Sequence, residues 1–311
     1  MMAPPPGDSI DSGAVPGETA GVRLALVLPA LMVAQAATAA PGDFRLNARN
    51  KAGEGILFNG STPDAAKWTR FTTELAYVLA PRLVEPAETL GYGGFQIAMM
   101  WGANVVSAGD GLWDVTERAQ ADGGSAAGVV QTLALDVKKG LPFSFEIGGS
   151  FAWLAESSLF APGLELRWTA HEGFGLTPDF GLRGAVTHMV GSRDLNLTTV
   201  AIDAVISKGF GIGGMLHLAP YLSWSFLLIS ASSRVVDPTP TVETDFGANF
   251  VFPELSAGDN VHHRLTIGAR ALFSVLNLSA QGDFEMLEKG PDGTSFFGSV
   301  ATFSVKLGIE Y

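Results

Sequence analysis

Residues 303–311 read FSVKLGIEY and alternate between apolar and polar side chains without interruption. The apolar set is Phe303, Val305, Leu307, Ile309 and Tyr311. Because successive side chains of a strand point to opposite faces, an extended strand here would have one apolar and one polar face. A strand of this kind suits a wall that has lipid on one side and water on the other.

The composition supports one large all-β domain. The 311 residues are 47% hydrophobic and 16% charged, which is too apolar for a disordered chain and lean in charge for a soluble domain. After residue 40 there is no run of about 18 apolar residues, so we expect no membrane-spanning helix there. The apolar residues instead alternate with polar ones, as they do in barrels that face lipid.

Two further counts exclude classes of function. The chain has no cysteine, which excludes disulfides, thiolate metal sites, a cysteine nucleophile and a lipidated N-terminal cysteine. The formal net charge is -12 and the 19 Lys and Arg residues are not clustered, so we expect no nucleic-acid partner.

Residues 22–40, VRLALVLPALMVAQAATAA, have the pattern of a secretory signal peptide. One basic residue precedes an apolar stretch, and small residues at 37 and 39 predict cleavage after Ala39. Residues 1–21 contain acidic residues and no basic one, which is a poor start for an exported chain. We therefore assign 1–39 as the signal peptide and expect translation to start near Val22, with a buried helix as the alternative.

Residues 40–89 are predicted to form an irregular leader before the barrel. The first part, 41–70, is punctuated by Gly, Asn and Pro and has no sustained period. Residues 71–83 fit both a helical face, with Phe71 and Leu75, and an alternating strand. The leader is therefore either partly helical, lying against or inside the lumen as a plug, or it adds strands to the barrel.

Ten segments of strand length follow between residues 90 and 311, close to the roughly 9–11 residues that a tilted strand needs to cross a bilayer. They cover 90–102, 129–139, 142–155, 161–171, 178–190, 196–208, 213–230, 262–274, 276–286 and 298–311. The sequence thus predicts an all-β fold, an integral outer-membrane antiparallel up-and-down β-barrel of about ten strands. Twelve strands are the alternative, in which 71–80 would pair with 112–118.

The lengths of the connections predict the orientation of the barrel. Short connections at 139–142, 171–178, 208–213 and 274–276 alternate with others that include the two longest, 103–128 and 231–261. Outer-membrane barrels have short periplasmic turns and long outer loops. We therefore expect a location in the outer membrane of a Gram-negative bacterium, with lipid and lipopolysaccharide as neighbours. Strand 303–311 would be recognised by the barrel-assembly machinery.

The polar faces of the predicted strands place charged side chains in the lumen. Acidic and basic residues are nearly balanced there, which favours a structural ion-pair network over a charge-selective filter, because selectivity needs rings of one sign. The lumen-facing candidates are Asp136, Lys138, Glu146, Glu165, Arg167, Arg183, Asp203, His217, Arg264, Arg270, Asp283 and Lys306, together with Glu285 and Glu310. The candidates for aromatic girdles at the membrane interfaces are Trp101, Trp153, Trp168 and Tyr311. A soluble sandwich or lipocalin, the alternative, would turn its apolar face inward.

No catalytic, cofactor or metal site is predicted, and we expect the protein not to be an enzyme. The adjacent His262 and His263 would point to opposite faces of a strand and would not share a metal ion. The glycine-rich run 209–214 lacks the lysine and the βαβ setting of a nucleotide-binding loop and predicts a hairpin turn. The acidic loop 231–261 is interpreted as a solvated surface, with divalent-cation binding as the alternative.

Four stretches carry a resemblance to a known family: KGLPFSFEIG at 139–148, GSRDL at 191–195, SKGFG at 207–211, and the pair Pro220-Tyr221. They resemble uncharacterised outer-membrane β-barrel proteins of myxobacteria and related Gram-negative bacteria, and the similarity runs from about Phe71 to the C-terminus. The resemblance implies the barrel fold and the location and adds no reaction. The irregular leader has a remoter resemblance to the segment that plugs fatty-acid transport barrels.

Two main hypotheses for the function remain at this point, with an enzyme as a distant third. The first is a porin-like small or gated pore or transporter for small solutes or hydrophobic molecules. The second is a non-conducting structural or surface-interaction barrel that uses the outer loops 103–128 and 231–261. No motif identifies a substrate.

Replacing Val305 by Arg tests which face of the last strand meets lipid. An arginine that faces lipid near the middle of the membrane is expected to destabilise the inserted barrel by about 2–4 kcal/mol. Val305→Met keeps an apolar side chain and is the control. Urea titration of both variants in phospholipid vesicles measures the difference, and equal stability of the two would contradict the assignment.

Overall fold

The computed structural model describes residues 39–60, 62–122, 126–172, 177–237, 249–286 and 297–311. The leader contains the two-residue strands β1 (Phe58–Asn59) and β2 (Thr62–Pro63) and the helix α1 (Ala65–Leu79). The later elements are β3 (Phe95–Val105), α2 (Glu117–Asp122), β4 (Val129–Leu141), β5 (Phe145–Leu154), β6 (Phe160–His171), β7 (Asp179–His188), β8 (Leu195–Ser207), β9 (Phe210–Ile212), β10 (Leu216–Ser233), β11 (Val261–Phe273), β12 (Leu276–Met286) and β13 (Phe297–Glu310).

The ten long strands pair in chain order, and the last returns to the first, so the sheet is closed. β13 pairs with β3, with Val305 opposite Trp101, and β8 pairs directly with β10. The short β9 lies only beside the beginning of β10. The predicted antiparallel up-and-down barrel of ten strands with a partly helical leader is confirmed.

The twelve-strand alternative is wrong. Residues 71–79, which would have formed an additional strand, belong to α1, and Ala80 is the C-cap of that helix. The proposed partner 112–118 forms the short 3₁₀ helix Leu112–Val115 and the beginning of α2. The sequence of residues 71–83 fits both the helical period and the alternation of a strand. The packing of the helix against the loop 106–128 decides between the two.

The barrel wall is apolar outside and polar inside. Along β7, for example, Phe180 and Leu182 are exposed, whereas Asp179 and Arg183 are buried. The exposed apolar side chains therefore lie on the outer surface and the charged ones face the lumen. A soluble sandwich or lipocalin would show the reverse, so that alternative is wrong.

The two mouths of the barrel differ in their connections. The end we call the short-turn mouth carries the connections 142–144, 172–178, 208–215 and 274–275. The opposite end, the long-loop mouth, carries 106–128, 155–159, 189–194, 234–260 and 287–296, of which 123–125, 238–248 and 287–296 lie outside the described residues. The run 209–214 contains a tight turn between β9 and β10, in which Gly213 and Gly214 adopt positive φ angles of 60° and 72°.

Helix α1 has clear start and stop signals. The carboxylate of Asp64 accepts hydrogen bonds from the backbone amides of Ala66 and Lys67 and caps the first turn. The helix ends before Pro81, because proline disfavours the helical conformation of the residue that precedes it. Among the described residues, no helix is both long and apolar enough to cross a lipid bilayer.

The leader and the long loops form a folded cap over the long-loop mouth. We define the cap as residues 40–60, 62–76, 106–122 and 249–256. In its core the Trp68 ring stacks on Phe252 with centroids 4.6 Å apart, and the Trp68 indole donates to the carbonyl of Pro253 at 2.8 Å. Phe71 packs edge-on against Trp113 at 5.5 Å. The cap thus shares one hydrophobic core with apolar residues of the wall, such as Leu197 and Ile229, at the end of the barrel.

A buried carboxylate joins α1 to the loop 106–128. Glu74 accepts hydrogen bonds from the Trp113 indole at 2.7 Å and from the Ser107 amide at 3.0 Å. At the surface Arg70 pairs with Asp110 at 2.7 Å. Burial lowers the pKa of Arg70, but the interactions with Asp110 and Glu74 outweigh it and raise that pKa above its ordinary value. These contacts fix the orientation of the helix within the cap.

Replacing Trp68 by Ala is expected to loosen the cap and leave the barrel closed. Truncation of a fully buried aromatic side chain costs about 3–5 kcal/mol, and here it also removes the contacts with Phe252 and Pro253. Hydrogen exchange followed by mass spectrometry should rise in 65–76 and 249–256 and stay unchanged in β6 and β7. Trp168→Ala on the outer surface is the control, and equal protection of the cap in both variants would contradict the packing.

Candidate functional site

The segment 80–90, APRLVEPAETL, passes through the lumen, and we call it the plug. Just before it, the Leu79 carbonyl accepts a hydrogen bond from Thr187 at 3.1 Å, near the long-loop mouth. At its end the Leu90 amide donates to Glu146 at 3.2 Å, near the short-turn mouth where β3 begins. The plug therefore runs along the barrel from one mouth to the other.

Two prolines keep the plug extended, and the wall pairs its backbone. Pro81 and Pro86 have no N–H to donate and disfavour helix in the residues before them. The Val84 amide donates to Gln281 at 2.8 Å, the Ala87 amide donates to Ser207 at 3.0 Å, and the carbonyls of Pro81, Arg82 and Ala87 accept from Arg264, Arg183 and Thr169. These wall residues belong to five different strands, so the plug is bonded on several sides.

Glu85 is the centre of the plug. Its side chain is almost fully buried, and Oε2 lies 2.7 Å from the ammonium of Lys138 and 2.5 Å from the guanidinium of Arg167. The other carboxylate oxygen pairs with Lys306. The three cations stand on β4, β6 and β13. The three cations compensate this deeply buried carboxylate for its lost hydration. Through them Glu85 links three strands of the wall.

A second group of ion pairs adjoins the first. Arg183 lies 2.6 Å from Asp203 and 2.6 Å from Glu165 through its two terminal nitrogens. Glu165 also lies 2.5 Å from Lys138, and Arg264 lies 3.4 Å from Asp203. Through Glu165 the charges of β4, β6, β7, β8 and β11 form one continuous network around the plug.

Arg82 is held against β3 and β13 at a position where the wall lacks a side chain. Its guanidinium donates to Ser304 at 2.8 Å and to Asn104 at 2.5 Å. A Cβ atom on Gly102 would lie 2.8 Å from the Arg82 Nη1 atom and 2.7 Å from the Thr132 hydroxyl. Glycine at 102 therefore leaves the room that the guanidinium occupies.

Ion pairs and a hydrogen bond also hold the end of the plug at the short-turn mouth. Glu88 pairs with Arg270, and its carboxylate lies 3.6 Å from Nε2 of His217. The amide of Thr89 donates to Glu172 at 2.9 Å. These contacts fix the chain where it leaves the lumen at the short-turn mouth.

A small cavity adjoins the plug in the middle of the lumen. A cavity of about 30 Å³ lies between residues 78–84 and wall residues that include Thr132 and Ser150. This volume holds about one water molecule. At this level a larger solute would need the plug to move.

The structure places the predicted lumen residues on the inner face of the wall. Those buried are Asp136, Lys138, Glu146, Arg167, Arg183, Asp203, Arg264, Arg270, Asp283, Glu285, Lys306 and Glu310. The side chain of Glu165 is 8% exposed, and that of His217 is 35% exposed because it lies beside the short-turn mouth.

The predicted girdle residues occupy the outer surface near the ends of the strands. Trp168 and Tyr311 are exposed near the short-turn mouth, and Trp101 is exposed towards the long-loop mouth. Trp153 is half-buried near the end of β5, where its indole donates to the carbonyl of Ser157 at 2.8 Å. Indole and phenol groups at these heights are typical of a membrane interface.

Sequence reasoning missed the plug residues Arg82, Glu85 and Glu88. Their charges fall in a segment without periodicity, so no face could be assigned to them. A signal was present in the pair Pro81 and Pro86, which predicts an extended backbone whose polar groups need partners from elsewhere.

The two adjacent histidines of β11 point to opposite faces. His262 packs against Tyr77 in the interior with ring centroids 5.9 Å apart, and His263 packs against Phe226 on the outer face at 5.0 Å. Within the described ranges no cluster of three or more His, Asp or Glu side chains could hold a metal ion. Much of the acidic loop 231–261, at 238–248, lies outside the described residues.

No protein-family model matches the sequence, and no curated protein matches it. Several solved structures have a similar shape. The outer membrane protease OmpT from Escherichia coli shares 8% identity at a TM-score of 0.37, over 74% of this chain and 99% of that one. An outer membrane channel from Pseudomonas putida F1 shares 9% identity at 0.35, over 74% and 100%. The translocator domain of the autotransporter NalP from Neisseria meningitidis shares 10% identity at 0.34, over 79% and 95%.

The class of the protein follows from its own architecture. A closed sheet of ten long strands with an apolar outer surface and a charged interior is an integral outer-membrane β-barrel. The plug and the cap distinguish this barrel from an open pore.

Replacing Glu85 by Gln is expected to destabilise the barrel by about 3–5 kcal/mol, because it leaves three buried cations without their shared anion. The control is Glu156→Gln, which removes an exposed partner of Arg118 and should cost about 0–1 kcal/mol. Urea unfolding in phospholipid vesicles measures both values. A Glu85 variant as stable as the control would show that the central ion pairs do not hold the structure together.

Proposed function

We propose that the protein is a barrel closed at rest that anchors the cap in the outer membrane, and that its interactions with other molecules take place at the cap. The observation that carries this proposal is the plug, which fills the middle of the lumen. This is the non-conducting, surface-interaction hypothesis, with the loops 103–128 and 231–261 contributing to the cap.

The energetics of the plug support a closed resting state. Withdrawal would separate Glu85 from Lys138, Arg167 and Lys306, and Glu88 from Arg270. Leaving a buried charge without its partner costs about 3–5 kcal/mol. Withdrawal would also unpair the backbone groups that the wall now satisfies. Thermal motion alone would rarely open such a lumen.

We further propose the orientation and the route of the chain. The long-loop mouth faces the outside and the short-turn mouth faces the periplasm, as in other barrels of this class. The segment 1–39 acts as a cleaved signal peptide, although 1–38 lie outside the described residues. Lipid and lipopolysaccharide contact the outer wall, and the barrel-assembly machinery recognises 303–311. No catalytic role is proposed.

A second candidate is a gated transporter for small solutes or hydrophobic molecules. Val84, in the middle of the plug, has a φ of 42°, a strained angle for a β-branched residue that costs about 1–3 kcal/mol. Several contacts between the plug and the wall are hydrogen bonds, which water or a solute can replace when the segment moves. Strain together with replaceable contacts is what a movable plug would need.

Single-channel conductance in planar bilayers tests the proposal, after heat-modifiable gel migration has confirmed folding. The protein should stay silent, and a variant that lacks residues 40–89 should give discrete steps because its lumen is empty. Steps of the same size from the intact protein would overturn the closed resting state.

A disulfide between plug and wall separates the second candidate from the first. A Cβ atom on Gly181 of β7 would lie 3.5 Å from the Cβ of Ala87, within the range of a disulfide, and the chain has no cysteine of its own, so Ala87→Cys combined with Gly181→Cys gives a reversible lock. Rare openings that vanish on oxidation and return on reduction would favour the gated transporter. Silence in both states would favour the surface-interaction barrel.

A further inference from the structure

A cavity of about 470 Å³ lies at the edge of the barrel wall next to β4 and β5. Its inner side is formed by Trp113, Val130 and Leu154, which are part of the cap core or pack against it. Its outer side is formed by Val129 and Gln131, which are exposed on the outer surface. The volume falls within the roughly 300–1,000 Å³ typical of sites for small molecules. The cavity therefore joins the cap core to the lipid-facing surface.

The cavity exists because two neighbouring strands end at different heights. Leu154, the last residue of β5, pairs with Thr132, so β4 continues beyond it towards Val129 without a paired neighbour on that side. One further hydrogen bond joins the Ala155 amide to the Gln131 carbonyl at 2.9 Å. Between this hydrogen bond and the long-loop mouth, β4 has no strand partner on the β5 side.

Residues of the cap cover the opening on the side of the long-loop mouth. The Gly42 amide donates to the carbonyl of Glu156 at 2.8 Å, and the Arg118 amide donates to the carbonyl of Pro41 at 2.9 Å. The side chains of Arg118 and Glu156 form an exposed ion pair at the entrance. The cavity thus has an apolar inner wall, polar groups on its other sides and a charged entrance.

The opening lies at the depth of the membrane interface. The Trp101 indole donates to the side chain of Gln131 at 3.2 Å, and Trp153 stands on the neighbouring strand. Indoles of this kind sit at the level of lipid headgroups. Below Gln131 the outer face of β4 continues with the exposed Leu133 and Leu135. The cavity is therefore continuous with the surface that the bilayer covers.

We propose that this cavity binds one acyl chain of a lipid from the adjacent leaflet. Its inner wall is apolar, so an acyl chain lying against it would remove apolar surface from water, and the exposed apolar face of β4 leads from the lipid-covered surface to its opening. The chain enters between Val129 and Ala155 and lies against Trp113 and Leu154. The headgroup stays outside beside the ion pair of Arg118. The site is independent of whether the lumen conducts.

Photo-crosslinking of the full protein in phospholipid vesicles tests the site. The probe is phosphatidylcholine with a diazirine on its acyl chain, and mass spectrometry locates the adducts. Ordinary boundary lipid should label the outward-facing Leu133 and Phe151. Occupancy of the cavity should in addition label the inward-facing Trp113 and Leu154. Labelling of the outward residues without the inward ones would overturn the proposal.

A matched pair of variants gives the second measurement. Ala155→Trp fills the opening and should lower the labelling of Trp113 and Leu154 by about tenfold. Ala280→Trp places the same side chain on the outer face of β12, away from the cavity, and should change nothing. Unchanged inward labelling in a folded Ala155 variant would show that the adducts arise by another path. If that variant does not fold, the distribution of adducts in the unaltered protein decides.

Discussion

A backbone inside a bilayer finds no water for its N–H and C=O groups, so a sheet can cross only when every strand has two neighbours. The pairing of β13 with β3 meets this constraint, and the remaining features follow from it. Closure creates one face for lipid and one that lipid cannot reach, and the alternation along each strand divides the side chains between them. A barrel of ten strands is narrow, so the polar side chains of opposite walls come close together. They therefore need partners inside the barrel.

The plug supplies a large share of those partners. Lys138, Arg167 and Lys306 converge from three strands, and in a narrow lumen their charges would repel one another without the carboxylate of Glu85 between them. The middle of the lumen therefore differs from the core of a soluble protein. Here ion pairs and hydrogen bonds specify the packing, whereas apolar contacts specify it in a soluble core. The main apolar core of the described residues lies instead at the long-loop mouth, where Trp68 and Trp113 of the cap meet wall residues such as Leu197 and Ile229. The cap is thus built onto the apolar end of the barrel interior.

The strands could be predicted from sequence because alternation and connection length are local signals. The segment 276–286 coincides with β12, and the other predicted strands overlap the observed ones. The first strand was placed too early, at 90–102 instead of Phe95–Val105, because apolar residues also occur in the turn that leads from the plug into the barrel. The partners of the lumen charges could not be predicted. Glu85 and Lys306 are 221 residues apart, and only the closure of the sheet brings them together.

Because of the plug, the chain is threaded through its own barrel. One segment passes through a ring formed by later segments of the same chain, with a folded cap at one end of the passage and the first strand at the other. A cap that contains α1 and a packed aromatic core is wider than the space that the plug occupies, so it cannot travel through the finished ring. Either the leader slips through as an unfolded chain, or the seam between β3 and β13 closes around it. In the first case the cap can fold only after the leader has passed through, and in the second the seam can close only after the plug is in place, so topology restricts the order of assembly.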